Sequence, residues 1–189
     1  MAAMTAMAER NTVQTTAPAV TDETTGTAAR TATRYVWAGV RLALGWTFLW
    51  AFVDKVIGLG FATPDGKGWT DGGNPTRGFL SGAEGPFAGL YHDLAGTAFA
   101  NWAFMLGLLG IGLALTLGIG MRIAAAAGAL LYVMMWSVAL PPQTNPFMDE
   151  HLVLAGVLVG LALTGAGRTL GLGAHWARLP LVKRLPWLK

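Results

Sequence analysis

The chain has 189 residues, 53% hydrophobic and 12% charged, with a mean hydropathy of +0.49; the composition is that of a membrane protein and the length that of one domain. Its net charge of +3 and pI near 9.6 do not point to nucleic acid, because the basic residues flank apolar runs instead of forming a patch interleaved with aromatics. It has no cysteine, which excludes disulfides, thiol catalysis, cysteine-ligated zinc or iron–sulfur clusters and thioether-linked haem, so electron transfer would need a borrowed carrier or a partner chain.

Residues 1–33 hold ten Thr and nine Ala without an amphipathic period, and are expected to form a disordered tail. No apolar core follows a basic start there, so a cleaved signal peptide is not expected. The first predicted span covers about 35–57. Its apolar centre, Leu42 to Val53, is bounded by Arg41 and by Asp54-Lys55, two ends roughly 20 Å apart on a helix. Lys55 is expected to snorkel and Asp54 to turn inward, whereas Arg41 reads as an interface anchor or as half of an ion pair inside the bundle.

Residues 58–96 form a long Gly- and Pro-containing connection, with short amphipathic helices expected at Thr76–Leu80 and Pro86–Leu94. A connection of this length in a small bundle suggests a cover over a site. His92 and Asp93 lie on the second of these helices, at the surface or roofing that site. Further spans are predicted at about 97–119 and 123–140, separated by a tight turn at Gly120-Met121-Arg122 and closed by Pro141-Pro142.

The most informative stretch is Asn145-Pro146-Phe147-Met148-Asp149-Glu150-His151, which opens a fourth predicted span at 147–166. The apolar run from Leu152 to Ala166 is roughly 22 Å long as a helix, short of a hydrocarbon core of about 30 Å. Two carboxylates and an imidazole are therefore drawn towards the membrane boundary, where ionisable groups are costly and mark functional sites by default. A plainer reading of the two acids is complementation of a helix dipole. Gly156 and Gly160 form a GxxxG spacing, and Asp149 is predicted to share their packing face. Residues 174–189 mix Trp and Leu with Arg and Lys and read as an interfacial tail.

The tail, Arg41, the Arg122 turn and the C-terminal part carry ten of the thirteen basic residues, while seven of the ten acidic residues lie in the other two loops. The positive-inside rule then predicts a multi-pass protein of the cell membrane with both termini cytoplasmic. Asp54, Lys55, His92, Asp93, Asp149, Glu150 and His151 are expected to converge at the outer end. No HxxxH or Glu-x-x-His spacing occurs, so no metal site is predicted; nothing requires His92 and His151 to meet across a haem, so none is predicted either. The expected fold is all-α, a four-helix transmembrane bundle, up-down-up-down, with a long extracytoplasmic loop between its first two spans.

Arg41-Leu42-Ala43-Leu44-Gly45-Trp46-Thr47-Phe48-Leu49 followed by Asp54-Lys55 resembles the first helix of the DoxX/DoxD-like bacterial membrane family. Asn145 to His151, together with Gly165-Ala166-Gly167-Arg168-Thr169-Leu170-Gly171-Leu172-Gly173, resembles its last helix and exit, closest to the DoxD branch. The resemblance covers about Arg34 to Pro180. It implies the membrane subunit of a thiosulfate:quinone oxidoreductase working with a second subunit. A quinone ring would lie near Trp136, Lys55, His92 and Asp93, with Asp149, Glu150, His151 and Asp54 as proton-exchanging groups. The acidic outer mouth favours a partner that carries the anionic thiosulfate. The alternatives are a non-catalytic membrane scaffold that docks soluble redox or thiol enzymes and, ranked last, a small-solute or proton carrier. Membrane lipid is an expected partner, nucleic acid is not, and a homo-oligomer is compatible with the sequence.

Overall fold

The computed structural model describes residues 20–143 and 145–189. All regular structure among them is helical. Helix α1 runs over Val20–Ile57, α2 over Arg77–Ser81, α3 over Ala88–Leu94, α4 over Ala98–Leu117, α5 over Met121–Val138 and α6 over Glu150–Leu163. Two short helices, α7 at Gly173–Trp176 and α8 at Pro180–Arg184, complete the chain. Gly26–Ile57, α4 and α5 are each long and apolar enough to cross a membrane.

Helix α1 corrects the expected tail. Residues 20–33 are helical, and residues 1–19 lie outside the described part. A helix already nucleated in an apolar segment extends at one hydrogen bond per residue fixed, and Ala and Arg favour that extension. Residues 26–36 are exposed along this extension, so it rests on propagation instead of packing.

The middle helices have readable ends. The Thr97 side chain accepts from Ala100 N at 3.2 Å to start α4, and Gly118 at φ 72° stops it in the left-handed region where glycine is favoured. The last long helix is shorter than the predicted 147–166. Asp149 caps it in an extended conformation and Gly165 at φ 65° follows its end, leaving 14 residues.

Helix α1 packs on α4, α4 on α5, and α5 on α6, with α6 returning to α1. Leu44, Phe48, Met105, Leu115, Leu158 and Leu161 fill the shared core. Close approach depends on three glycines. A Cβ on Gly45 would lie 2.6 Å from Thr116 Oγ1 and 2.9 Å from Thr116 N. One on Gly112 would meet Leu49, and one on Gly128 would meet Leu158. The GxxxG expectation is corrected here: Gly156 faces open space and Gly160 only loosely faces Trp37, 3.6 Å from an added Cβ. Small residues bring helices together only where a partner backbone or branched side chain comes up against them.

At one end of the molecule Arg41 is completely buried. It is neither an interface anchor nor half of an ion pair. Its Nη1 donates to the carbonyls of Leu115 and, at 2.9 Å, Thr116 in the last turn of α4. Its Nη2 donates to Thr169 O at 3.3 Å and Leu170 O at 2.8 Å. The guanidinium thus lies at the negative end of the α4 dipole, where Thr116 O has no further helical turn to bond and Leu115 O also accepts from Gly118 N. The glycine-rich exit passes tightly beneath: a Cβ on Gly167 would lie 2.4 Å from Gly118 O, and Leu172 N donates to Leu117 O at 2.8 Å. The C-terminal segment folds onto the same end, with Arg122 N donating to Lys189 O at 2.9 Å and Trp176 Nε1 to Leu188 O at 2.6 Å.

The connection between α1 and α4 is folded and tied to three helices. Thr76 Oγ1 donates to Asn101 Oδ1 of α4 at 2.7 Å. Trp69 meets Trp102 of α4 edge-on at 4.7 Å, and Thr70 Oγ1 donates to Val56 O of α1 at 2.8 Å. Tyr91 of α3 shares a 2.5 Å hydroxyl contact with Ser137 of α5. Helices α2 and α3 form close to the two amphipathic stretches expected from the sequence.

Candidate functional site

The sequence that opens α6 builds its own turn. Asn145 Oδ1 accepts from Phe147 N at 3.0 Å and Met148 N at 2.9 Å, a local side-chain bond that bends the chain before the helix. Asp149 then acts as N-cap, its Oδ1 accepting from His151 N at 3.0 Å and Leu152 N at 3.4 Å. The second carboxylate oxygen faces His151 Nδ1 at 2.7 Å. A carboxylate only accepts, so Nδ1 carries the proton in this contact, and Nε2 has no partner among the described residues.

This pair is sheltered. The side chains of Asp149 and His151 are 9% and 15% exposed, while Glu150 next to them is exposed. Behind the imidazole, the ring of Tyr132 lies 6.0 Å away between centroids, and Tyr132 in turn meets Phe48 of α1 at 5.3 Å. Trp136, one turn further along α5, donates from Nε1 to Phe147 O at 2.8 Å and packs edge-on against the Phe147 ring. Trp136 therefore secures the turn that presents Asp149.

In front of the pair is a cleft of about 380 Å³. It is lined by Asp149, Glu150 and His151, by Val138 to Gln143 after α5, and by Gly82 and Glu84 of the α1–α4 connection. His92 holds this wall from behind, its Nε2 lying 3.0 Å from Ala83 O. The cover contributes to the site through Gly82, Glu84 and the support of His92, and the exposed Asp93 makes no hydrogen bond or ion pair among the described residues.

The predicted residues divide. Asp149, Glu150 and His151 come together, with ligating atoms within 4.8 Å of one another, a spacing within reach of one cation although His151 Nδ1 is already engaged. Asp54 does not join them through any hydrogen bond. It is 1% exposed, and its carboxylate accepts from Leu59 N at 3.3 Å and Thr63 N at 2.8 Å, closing the turn that follows α1. Two backbone donors account for its burial without catalysis. Lys55 is half-buried and, like Asp93, makes no hydrogen bond or ion pair with the trio among the described residues. Tyr132 and Glu84 are additions. The signal for Tyr132 was its i,i+4 spacing from Trp136, which puts both on one face of α5; Glu84 reaches the cleft only through tertiary folding.

Chemically, an imidazole held by a carboxylate beside an apolar wall can take up and release a proton at Nε2 while Asp149 keeps the ring oriented. None of the lining residues is Lys or Arg, so the cleft is unsuited to an anion. No protein-family model, curated protein or solved structure matches this chain.

Proposed function

We propose that the protein is a membrane-embedded subunit of a quinone-linked oxidoreductase, of thiosulfate:quinone type as its resemblance to the DoxD branch implies, with α1, α4, α5 and α6 all crossing the bilayer. Support for the fourth crossing comes from what each end of α6 meets. Its start is tied to the end of α5 through Trp136 and Phe147, and Thr164, Arg168 and Thr169 beyond its end share a cleft with Thr33 and Arg34 of α1. The basic residues at the second end favour its being cytoplasmic, with both termini there and the α1–α4 cover outside.

The observation that carries the redox reading is the sheltered Asp149–His151 pair, opening on a largely polar cleft that Val138, Leu140 and Pro141 line on one side at the end of a membrane helix. Small-molecule pockets start at about 300 Å³, so the cleft admits a ring-sized head group. Val138, Leu140 and Pro141 would hold such a ring, and His151 and Glu150 would face its oxygens. A bound quinone supplies a two-electron, two-proton carrier. The chain's own part is to orient His151 through Asp149, to exchange a proton at Nε2, and to limit water through the Gly82–Glu84 wall. The acidic lining favours electrons arriving from a partner instead of from thiosulfate bound in this cleft.

The test is purification in mild detergent, solvent extraction for stoichiometric quinone, and thiosulfate-dependent quinone reduction in vesicles. His151→Gln should lower turnover by about 10²-fold or more at equal protein level. Equal rates would remove the assignment. A second reading, a docking scaffold, draws on the exposed Phe61, Phe79, Phe87 and Leu90 of the cover; it predicts a retained partner and no extracted quinone.

A further inference from the structure

A second cleft of about 380 Å³ lies at the opposite end, between α1 and the exit from α6. Its lining includes Thr33, Arg34 and Trp37 of α1 and Thr164, Arg168 and Thr169 of the exit. No Asp or Glu lines it, and among the described residues neither arginine has an ion-pair partner. Two of the three hydroxyls are engaged within their own helices: Thr33 Oγ1 donates to Ala29 O at 2.9 Å and Thr164 Oγ1 to Gly160 O at 2.8 Å. The charged donors are two guanidinium groups, each with planar N–H pairs that match phosphate oxygens, beside the Trp37 indole N–H and the Thr169 hydroxyl of the same lining.

The surroundings say what kind of phosphate. Leu163, 83% exposed, directly precedes Thr164, and the exposed Tyr35 and Val36 directly follow Arg34. Bare apolar side chains thus adjoin the two guanidinium groups, with the Trp37 ring within the cleft and packed towards Gly160. A free anion would use only the polar donors of the cleft. A phospholipid would use the arginines for its head group and the flanking apolar surface for its chains.

We propose that this cleft binds the phosphate head group of an anionic phospholipid, with Arg34 and Arg168 as the paired recognising residues. The site is separate from the Asp149–His151 cleft and does not depend on its chemistry. The arginines enter from different elements, so an occupant would join the mid-part of α1 to the α6 exit.

The test uses the full-length protein in detergent, titrated with phosphatidylglycerol, phosphatidylcholine or inorganic phosphate, and read by native mass spectrometry and thermal shift. Phosphatidylglycerol should bind and stabilise more than phosphatidylcholine does. Arg34→Gln or Arg168→Gln should weaken it about fivefold and the double variant about thirty-fold, each basic group contributing similarly near a charged interface. Arg178→Gln, an exposed arginine outside the cleft, should leave it unchanged. Unliganded melting of all variants should match wild type, because both arginines are exposed. The proposal is overturned by equal binding of the two lipids, by an equal loss in Arg178→Gln, or by inorganic phosphate displacing the lipid at similar concentration.

Discussion

Replacing Arg41 tests the packing of the basic end. In Arg41→Ala the carbonyls of Thr116, Thr169 and Leu170 lose their donor, whereas Leu115 O keeps Gly118 N at 3.2 Å. These three bonds are only part-buried, so water can partly replace the donor and each costs about 1–2 kcal/mol. The 3.3 Å bond to Thr169 is the weakest of the three, so the sum centres on about 3–5 kcal/mol, before any loss of the side chain's own packing. Arg41→Lys keeps the charge but offers three donors from one nitrogen, and should recover part of that loss. Unfolding in mixed micelles followed by tryptophan fluorescence gives the stability. Proteolysis between Gly165 and Gly173 reports release of the exit segment. If Arg41→Ala unfolds within 1 kcal/mol of wild type and the segment stays protected, the clamp is not what holds this end together.

Asp149→Asn should keep the cap on α6, since Asn serves as well as Asp there, yet it should lose the charge that orients His151; melting stays near wild type while quinone reduction falls. Asp149→Ala should lower stability by about 1 kcal/mol as well, which chemical denaturation measures. Two glycines of similar appearance should answer in opposite directions in the same unfolding assay. Gly156→Ala, with nothing near its added Cβ, should stabilise by about 0.5–1 kcal/mol. Gly45→Ala, pressed against the Thr116 backbone, should destabilise by about 1–3 kcal/mol.

Helix positions were legible because apolar runs and their Pro, Gly and Thr boundaries are local signals. The Asp149–His151 pairing was nearly so, as both lie within one turn whose capping chemistry is visible in the residues themselves. What could not be read depends on partners distant in sequence. The roles of Arg41 and Asp54 follow from which carbonyls and amides arrive beside them: the inward turn of Asp54 was legible from its place next to Lys55, whereas its two amide donors and the four carbonyls around Arg41 were not. The GxxxG failed for a related reason: spacing tells which residues share a face, and says nothing of whether another helix comes to that face. Residues 20–33 were misjudged because composition measures what a segment does alone, whereas here it continues a helix begun elsewhere.

The Arg41 contacts also bear on how the chain is made. The carbonyls it bonds stand 74 to 129 residues later in the sequence, so at about 5–20 residues per second the guanidinium waits roughly 6 to 26 s after its own synthesis for the last of them. During that interval the first helix carries a charge at the edge of its apolar centre, a position that costs less than the middle of a lone inserted segment, where the figure is about 2.5–3.5 kcal/mol. Its lodging in the bilayer is provisional until the fourth and sixth helices emerge, and a nascent chain arrested before residue 170 would present the quality-control machinery with an unsheltered cation.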